Sequence, residues 1–371
     1  MKLLCGKLKL GILLTNIQKA VATKSTIPAL EGILITAKNQ TMRLCAYNTE
    51  LGIKTSLPAT VNQEGSIVIN AHLLTEIIKK LPSETVEIES KENLTVIIKG
   101  GQSKFELVGI DPKEFPELPN ISQAEYLTLP VSTLKSMIKQ TIFAVADDDS
   151  KPIHTGTLFE IKDNSVTLVS VDGYRLALRN EPTKESLELK FVVPGKTLRE
   201  VLKLLPTTGE ENNYAKITAG MRHIIFQIGE YKIISRLLEG EFLDYKTTIP
   251  EKSNFTARVS TAKFLEAVER VSLLINDRLK SPVKCVFAKE SINLSCNTSV
   301  GRSNDEIKIS SNFEEELEIA FNNRYMIEAL KSTDCDEIEI HINGPLAPIK
   351  ITPTQGNSFV FLVLPVRIKP D

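Results

Sequence analysis

A four-residue segment interrupts the apolar run in "LVSVDGYRLALR" and is the first candidate for chemistry. It brings an acid, a phenol and a guanidinium together, as Asp172, Tyr174 and Arg175 around Gly173. Side chains of these types can transfer protons or stabilise developing charge. The same residues also suit the polar turn of a β-hairpin or the rim of a binding site. Choosing between these three interpretations requires the rest of the sequence.

A second candidate for chemistry is Gly195-Lys196-Thr197, which resembles the end of a phosphate-binding loop. Such a loop needs a first glycine five residues before the second, because its backbone N–H groups wrap the phosphate. Position 190 is lysine, and Pro194 lacks an N–H group where one is needed. The start of a helix after a strand explains these residues equally well, so nucleotide binding is not supported.

Metal-binding and hydrolase motifs are missing from the sequence. The four histidines have no zinc-binding spacing and no close cysteine partners, and no GxSxG elbow occurs. The acidic run at 147–149 is better explained by a solvated loop between a helix and a strand than by a metal site. We therefore predict no catalytic residue, cofactor or metal. An enzyme that uses Asp172, Tyr174 and Arg175 stays the weakest of the functional hypotheses.

Length and composition indicate an ordinary globular protein. The 371 residues suffice for two or three domains, and charged residues make up 25% of the chain. No apolar stretch approaches the roughly 18 residues of a membrane helix, so no membrane association is expected. Five cysteines without a pairing motif indicate reduced thiols in a cytoplasmic protein. The net charge of -1 does not indicate a nucleic-acid partner, but local charge decides such binding.

One sequence pattern occurs three times. Strand-like runs that lead into polar turns begin at residues 44, 168 and 294, which are 124 and 126 residues apart. A helix with apolar residues at 3-and-4 spacing precedes each run. Val131-Ser132-Thr133 and Val259-Ser260-Thr261 open two of these helices, and we expect their hydroxyls to cap the helix N-termini.

The second half of each copy also repeats one pattern, a short helix between strand-like runs. Short helices are predicted at 69–82, 193–206 and 321–332, each between strand-like runs. Proline and small polar residues mark junctions near 120–127 and 250–256. The sequence therefore predicts an α+β fold of three tandem domains at 1–120, 127–250 and 251–371.

Basic residues occur on both predicted helices of every copy, which favours a DNA-facing surface over a plain solvated one. A domain of this size behaves as a ball roughly 36 Å across. Six such balls, from two chains joined head to tail, leave a hole of roughly 36 Å. That hole admits a DNA duplex, whose phosphates basic helices would contact independently of base sequence.

Four segments carry a family resemblance: "FAVADDDSKPIHTGTLFEI", "VSVDGYRLALR", "RLLEGEFLDYKTTIP" and "FLVLPVRI". In this order and spacing they closely resemble the bacterial DNA polymerase III beta subunit family, the sliding clamps. The resemblance implies three DNA-clamp domains per chain, which form half of a six-domain ring on double-stranded DNA. It also implies loading by an ATP-driven clamp loader and tethering of the replicative polymerase, without catalysis by the clamp.

The resemblance further implies a pocket between the second and third domains that binds short peptides of polymerases and repair proteins. One wall would be built around the turn after the middle-domain strand, and the other by the C-terminal segment. The implied pocket residues are His154, Val171, Gly173, Tyr174, Arg175, Leu176, Leu243, Thr247, Thr248, Asn322, Tyr325, Leu362, Leu364, Pro365, Val366 and Arg367. Because Leu362 and Leu364 alternate as in any strand, one of them could instead belong to the core.

Three pocket positions depart from the family pattern. Leu243 stands where the family has proline, Thr247 where it has arginine, and His154 where it has an aliphatic residue. They indicate an altered peptide preference. The resemblance also implies a dimer seam and DNA contacts. The seam residues are Phe105, Leu107, Leu274 and Ile275, and the DNA contacts are Lys24, Lys151 and Lys196. A repeat-built interaction scaffold that does not encircle DNA is the alternative.

Overall fold

The computed structural model describes residues 1–121, 125–148, 150–206, 214–275 and 281–367. The acidic run at 147–149 is described except for Asp149, which lies outside these ranges. All five cysteines are free, and four of them are buried. In the described ranges, no helix has the length and apolar character needed to cross a membrane.

Copy 1 contains two helices and nine strands. The helices are α1 (Lys7–Ile17) and α2 (Ala71–Lys80). The strands are β1 (Lys2–Gly6), β2 (Gly32–Lys38), β3 (Thr41–Tyr47), β4 (Leu51–Pro58), β5 (Thr60–Gln63), β6 (Gly65–Asn70), β7 (Thr85–Ser90), β8 (Thr95–Gly100) and β9 (Ser103–Val108). The apolar residues Leu10, Leu13, Leu14 and Ile17 of α1 are buried. The Asn70 side chain caps α2 by accepting from the Leu73 N–H at 3.1 Å.

Copy 2 repeats this order. Its helices are α3 (Val131–Ile142) and α4 (Gly195–Leu204). Its strands are β10 (Tyr126–Pro130), β11 (Gly156–Lys162), β12 (Ser165–Val171), β13 (Arg175–Pro182), β14 (Leu189–Pro194), β15 (Tyr214–Ala219), β16 (His223–Ile228) and β17 (Tyr231–Arg236). Since β2, β3, β4 and α2 recur here displaced by 124 residues at both ends, the repeat predicted from sequence is a structural repeat. Gly195 begins α4, so the residues of the apparent phosphate loop start a helix.

Copy 3 repeats the order of copy 1, including the short strand that precedes the last strand before the second helix. Its helices are α5 (Thr261–Val271) and α6 (Asn323–Ser332). Its strands are β18 (Phe255–Ser260), β19 (Val283–Phe287), β20 (Ser291–Thr298), β21 (Gly301–Lys308), β22 (Ser310–Ser311), β23 (Leu317–Phe321), β24 (Glu337–Ile342), β25 (Ile349–Pro353) and β26 (Phe359–Val363).

The predicted hydroxyl cap of α5 is wrong. Ser260 stands at the N-cap position but makes no capping hydrogen bond. The next hydroxyl, Thr261, is buried and donates to the carbonyl oxygen of Cys335 at 2.7 Å. It therefore ties the start of α5 to the loop after α6 instead of capping the helix.

The chain forms two compact units. The first comprises Met1–Ser132 and Arg199–Leu237, and the second comprises Thr133–Leu198 and Leu238–Asp371. Because copy 2 contributes to both units, the compact units do not coincide with the copies. The domain limits 1–120, 127–250 and 251–371 therefore stay a prediction.

Each unit contains two sheets with antiparallel pairing. The first unit has a sheet of order β5-β1-β7-β8-β9 and one of order β10-β15-β16-β17-β4-β3-β2-β6. The second has a sheet of order β14-β11-β12-β13-β26-β25-β24-β18-β22 and one of order β21-β20-β19-β23. Strands of neighbouring copies thus share a sheet where β17 pairs with β4 and where β26 pairs with β13.

Candidate functional site

The segment Asp172–Arg175 is a tight turn between β12 and β13. The Asp172 Oδ1 atom accepts hydrogen bonds from the backbone N–H groups of Tyr174 at 2.9 Å and Arg175 at 3.1 Å. Gly173 adopts a φ of +90°, a conformation that L side chains rarely take. Asn48 forms the same kind of turn in copy 1, where its Oδ1 atom accepts from the N–H groups of Glu50 and Leu51. Residues 172–175 therefore form the polar turn of a β-hairpin, which was one of the three interpretations of this segment.

The Arg175 guanidinium is buried beside this turn. Its side chain is 4% exposed, and its Nε donates to the Asp172 Oδ2 atom at 2.9 Å. Its Nη1 donates to the Glu328 Oε2 atom on α6. The guanidinium carbon also lies 4.6 Å from the centre of the Tyr325 ring, close enough for a cation–π interaction. Both the ionic and the aromatic contacts hold the guanidinium in place.

Glu328 connects Arg175 to a second arginine. Its Oε1 atom accepts from the Arg324 Nε at 2.9 Å, and Arg324 also lies 3.7 Å from the Asp147 carboxylate. Burial acts to raise the pKa of Glu328, but hydrogen bonds from Arg324 and Arg175 outweigh it and hold that pKa below its ordinary value. Glu328 is therefore a charged partner of two arginines and a poor candidate for a general acid near neutral pH.

The C-terminal segment packs against the same turn. Strand β26 pairs with β13 so that Leu362 lies opposite Leu176. Beyond the strand, the Leu364 N–H donates to the Tyr174 carbonyl oxygen at 2.9 Å, and the Val366 N–H donates to the Ala320 carbonyl oxygen at 2.8 Å. The two walls implied by the resemblance are thus neighbours in the second unit.

A buried apolar cluster lies under these walls, and we call it the copy 2 cluster. Its buried members are Leu158, Val169, Val171, Leu176, Val192, Phe242, Tyr245 and Leu362. Leu362 is thus a core residue, whereas Leu364 is 39% exposed. Leu243 and Val366 are exposed to the same extent. A buried apolar floor with exposed aliphatic side chains near it suits the apolar side chains of a ligand.

Other predicted pocket residues have local roles. Asn322 caps α6 by accepting from the Arg324 N–H at 2.9 Å. Thr247 and Thr248 donate to the backbone carbonyl oxygens of Asp244 and Tyr245. The exposed Tyr174 ring stacks on Tyr325 with centroids 6.0 Å apart. Pro365 forms an isolated bridge with Phe321 and Arg367 is exposed. Among the described residues, neither threonine side chain hydrogen-bonds to the Arg175 network.

His154 lies at the edge of the copy 2 cluster, with its ring 5.6 Å from that of Phe242 in an edge-on arrangement. Burial, and then the charge of Lys151, lower its pKa below 6.5, although Asp172 acts in the opposite direction. The neutral imidazole therefore takes the place that an aliphatic side chain has in the family pattern.

The lowered pKa of His154 predicts a pH-dependent stability. Below pH 6.5 the unfolded chain binds a proton at this position that the folded chain resists, so stability falls as the pH drops from 6.5 toward the folded pKa. We expect His154→Leu to show a smaller loss of Tm than the wild type between about pH 7.5 and about pH 5.5. Thermal unfolding at both pH values measures the difference, with His72→Leu as the control. Equal losses in the wild type and His154→Leu would contradict the assignment.

Sequence reasoning missed four residues of this site: Phe143, Asp147, Phe242 and Glu328. Phe143 lies 5.5 Å from the Arg175 guanidinium carbon and packs edge-on against Phe361. Glu328 carried a usable signal, since its spacing of three and four residues from Tyr325 and Arg324 places all three on one helix face. Nothing in the local sequence marks Phe143 as a neighbour of Arg175.

The predicted DNA contacts and seam residues belong to other elements of the fold. Lys24, Lys151 and Lys196 are exposed, the last in the first turn of α4. Phe105 and Leu107 lie on β9, and Leu274 ends the 3-10 helix Ser272–Leu274, which Ile275 follows. In the described ranges, no three His, Cys, Asp or Glu side chains are grouped to hold a metal ion.

This arrangement defines a class of protein. Three α+β copies share sheets through strand pairing, and the best-formed site holds its charged groups in fixed structural pairs beside an apolar floor. Both features indicate a repeat-built binding protein, since function has to be argued from the site and this site offers fixed ion pairs and an apolar floor.

Comparisons with known proteins identify the family. Models of the N-terminal, central and C-terminal domains of the DNA polymerase III beta subunit match residues 1–119, 128–244 and 246–367. The beta sliding clamp of Halalkalibacterium halodurans is 33% identical over 366 residues, which cover 95% of this chain and 96% of that protein. The crystal structure of the Bacillus subtilis DNA polymerase sliding clamp is 33% identical with a TM-score of 0.96, and each chain is fully covered. A putative beta subunit structure from Eubacterium rectale is 32% identical with a TM-score of 0.94, covering 99% of this chain and 100% of that chain.

The chain therefore belongs to the DNA polymerase III beta subunit family, the bacterial DNA sliding clamps. The resemblance and the three-domain clamp fold predicted from sequence are both confirmed. Sliding clamps are processivity factors without catalysis of their own, so the hypothesis of an enzyme built on Asp172, Tyr174 and Arg175 is wrong.

Proposed function

We propose that two copies of this chain close head to tail into a ring around duplex DNA and hold the replicative polymerase on its template. The observation that carries this proposal is a pair of matching strand edges. Strand β17 ends copy 2 and pairs with β4 of copy 1, and β26 ends copy 3 and pairs with β13 of copy 2. The β4 and β13 strands are equivalent in the repeat, as are β17 and β26.

Among the described residues, one strand equivalent to β17 and β26, and one equivalent to β4 and β13, each lie at a sheet edge. Strand β9 ends copy 1 and corresponds to β17 and β26, while β21 corresponds to β4 and β13. A second chain can repeat the pairing at both edges, and the two equivalent joints form a closed dimer. An exposed edge strand also favours such pairing because its backbone groups are free to bond another strand.

Apolar side chains at these edges support the same joint. Phe105 is 38% exposed and Val108 is 87% exposed on β9. Leu274 and Ile275 are half-buried near β21, and the neighbouring Leu273 is 82% exposed. We propose that Phe105 and Leu107 of one chain contact Leu274 and Ile275 of the other.

For DNA, we propose that Lys24, Lys151 and Lys196 contact phosphates. Exposed lysines bind phosphate independently of base sequence, and such binding weakens with salt and allows sliding. The proposal includes opening and loading by an ATP-driven clamp loader in the cytoplasm. A closed ring of two chains needs no tight contact with the DNA it encircles, because the ring itself prevents dissociation.

Topological retention tests encirclement. After loading, we expect the protein to stay on nicked circular DNA through a high-salt wash and to leave once the circle is cut. Gel filtration of the DNA fraction before and after linearisation measures the retained protein. A scaffold that binds without encircling would dissociate equally from both DNA forms, and that result would reject the ring.

We also propose that the site beside Arg175 binds a short peptide with leucine or phenylalanine side chains, as carried by polymerases and repair proteins. Three exposed aliphatic residues, Leu243, Leu364 and Val366, support this role together with the copy 2 cluster. A tethered partner reaches a high effective concentration at the template, which gives processivity.

A further inference from the structure

We propose that a second cleft, formed by copy 1 together with the last strand of copy 2, binds an acidic linear segment of a partner protein. The cleft has a volume of about 730 Å³ and lies between strands β2, β3, β4 and β17 and the segment 112–118. This volume falls within the roughly 300–1,000 Å³ typical of ligand-binding clefts. The cleft is separate from the Arg175 site and lies entirely in the first unit.

The cleft lies on strands β2, β3 and β4 of copy 1, which correspond to β11, β12 and β13 of copy 2. A second apolar cluster lies beside it, and five of its members correspond to members of the copy 2 cluster at a displacement of 124 residues. The pairs are Leu34 with Leu158, Cys45 with Val169, Tyr47 with Val171, Val68 with Val192, and Leu118 with Phe242. The repeat has therefore produced the same scaffold for a binding site twice.

The chemistry of the two scaffolds differs at one cross-strand pair. In the second unit, Leu178 of β13 lies opposite Val360 of β26, and both pack against the copy 2 cluster. In the first unit, the equivalent β4 position is Lys54, which lies opposite Lys232 of β17. An apolar pair has become a pair of ammonium groups, so the ligand of this cleft must supply negative charge.

The surrounding charges strengthen this requirement. Arg43 and Lys113 also line the cleft. Among the described residues, no carboxylate lies within ion-pair distance of these two side chains or of Lys54 and Lys232. The lining carboxylates are Glu117 and Glu230, and Glu230 is already paired with Lys9 at 2.5 Å. Like charges directly opposite each other on neighbouring strands are unfavourable, and an anionic ligand relieves their repulsion.

The apolar lining favours a peptide over a nucleic acid. Leu34 and Leu118 are half-buried in the cleft wall, and Phe115 is buried beneath it. A peptide that alternates acidic and apolar residues offers carboxylates to the lysines and aliphatic groups to this wall. A phosphate backbone satisfies the lysines alone.

A charge reversal tests the proposal. We expect a fluorescent peptide of alternating glutamate and leucine to bind the full chain, with an affinity that falls as salt is added. Lys54→Glu combined with Lys232→Glu is expected to weaken this binding at least tenfold in fluorescence anisotropy. The matched control, Lys38→Glu with Lys91→Glu, changes the net charge equally at exposed sites outside the cleft and is expected to bind like the wild type.

Three further measurements separate the outcomes. The unfolding temperature of the Lys54 and Lys232 double variant must match the wild type, and Arg175→Ala must leave binding of the acidic peptide unchanged. The same peptide with glutamine in place of glutamate is expected not to bind. Equal binding of the acidic peptide to the wild type and the double variant would overturn the proposal. So would a single-stranded oligonucleotide that binds at this cleft while the acidic peptide does not.

Discussion

Arg175→Ala is expected to abolish binding of a polymerase tail peptide and to lower the free energy of unfolding by about 3 kcal/mol. The guanidinium is buried, and its loss leaves the Asp172 carboxylate, 12% exposed, without its cation. Glu328 keeps Arg324 as a partner, so the cost falls at the lower end of the range for breaking a buried ion pair. Because Asp172 and the Tyr325 ring both contact Arg175, its loss also disturbs the rim of the proposed pocket. Urea unfolding and fluorescence anisotropy measure the two effects.

Arg324→Ala is the matched control, since it removes a cation from the same network at an exposed position. Its side chain is 64% exposed, and such pairs contribute about 0–1 kcal/mol. A second variant separates the pocket from general stability. Deletion of residues 364–371 removes the exposed Leu364 and Val366 and is expected to abolish peptide binding while sparing the dimer. Unchanged peptide affinity in both Arg175→Ala and the deletion would remove the pocket assignment.

Leu274→Ala combined with Ile275→Ala is expected to convert most of the protein from dimer to monomer at micromolar concentration. Both side chains are half-buried at the end of the 3-10 helix beside β21, where the partner's β9 would dock. Removing two apolar anchors from the centre of an interface costs several kcal/mol, at about 2 kcal/mol or more for each hot-spot residue. Sedimentation equilibrium across a concentration series measures the monomer fraction.

Leu346→Ala is the control for the seam, because Leu346 is 68% exposed in a loop of the same copy and lies outside both proposed edges. We expect it to sediment like the wild type. A dimer of unaltered affinity in the Leu274 and Ile275 double variant would count against the seam and against the ring that depends on it.

The site was predictable from sequence to the extent that it is local. Asp172 and Gly173 form a turn because a short acceptor and a glycine satisfy the turn's own backbone, so the hairpin could be read from four residues. The prediction that Ser260 caps α5 was wrong because a cap does not depend on local sequence alone. Whether a hydroxyl caps its helix depends on its side-chain conformation, and the neighbouring Thr261 bonds the chain near Cys335 instead.

The sequence by itself determined the threefold repeat, the two helices of each copy and the polar turns, because periodicity and turn chemistry depend on residues close together in the chain. It did not indicate the short strand that begins each copy. Only the tertiary structure decided that Arg175 pairs with Glu328, 153 residues away, that Leu362 is buried while Leu364 is exposed, and which strands are left at sheet edges. Burial and strand partnership are set by contacts between distant segments. A local pattern carries no record of those contacts, and the matching edges of β9 and β21 become visible only when the strand pairing of all three copies is known.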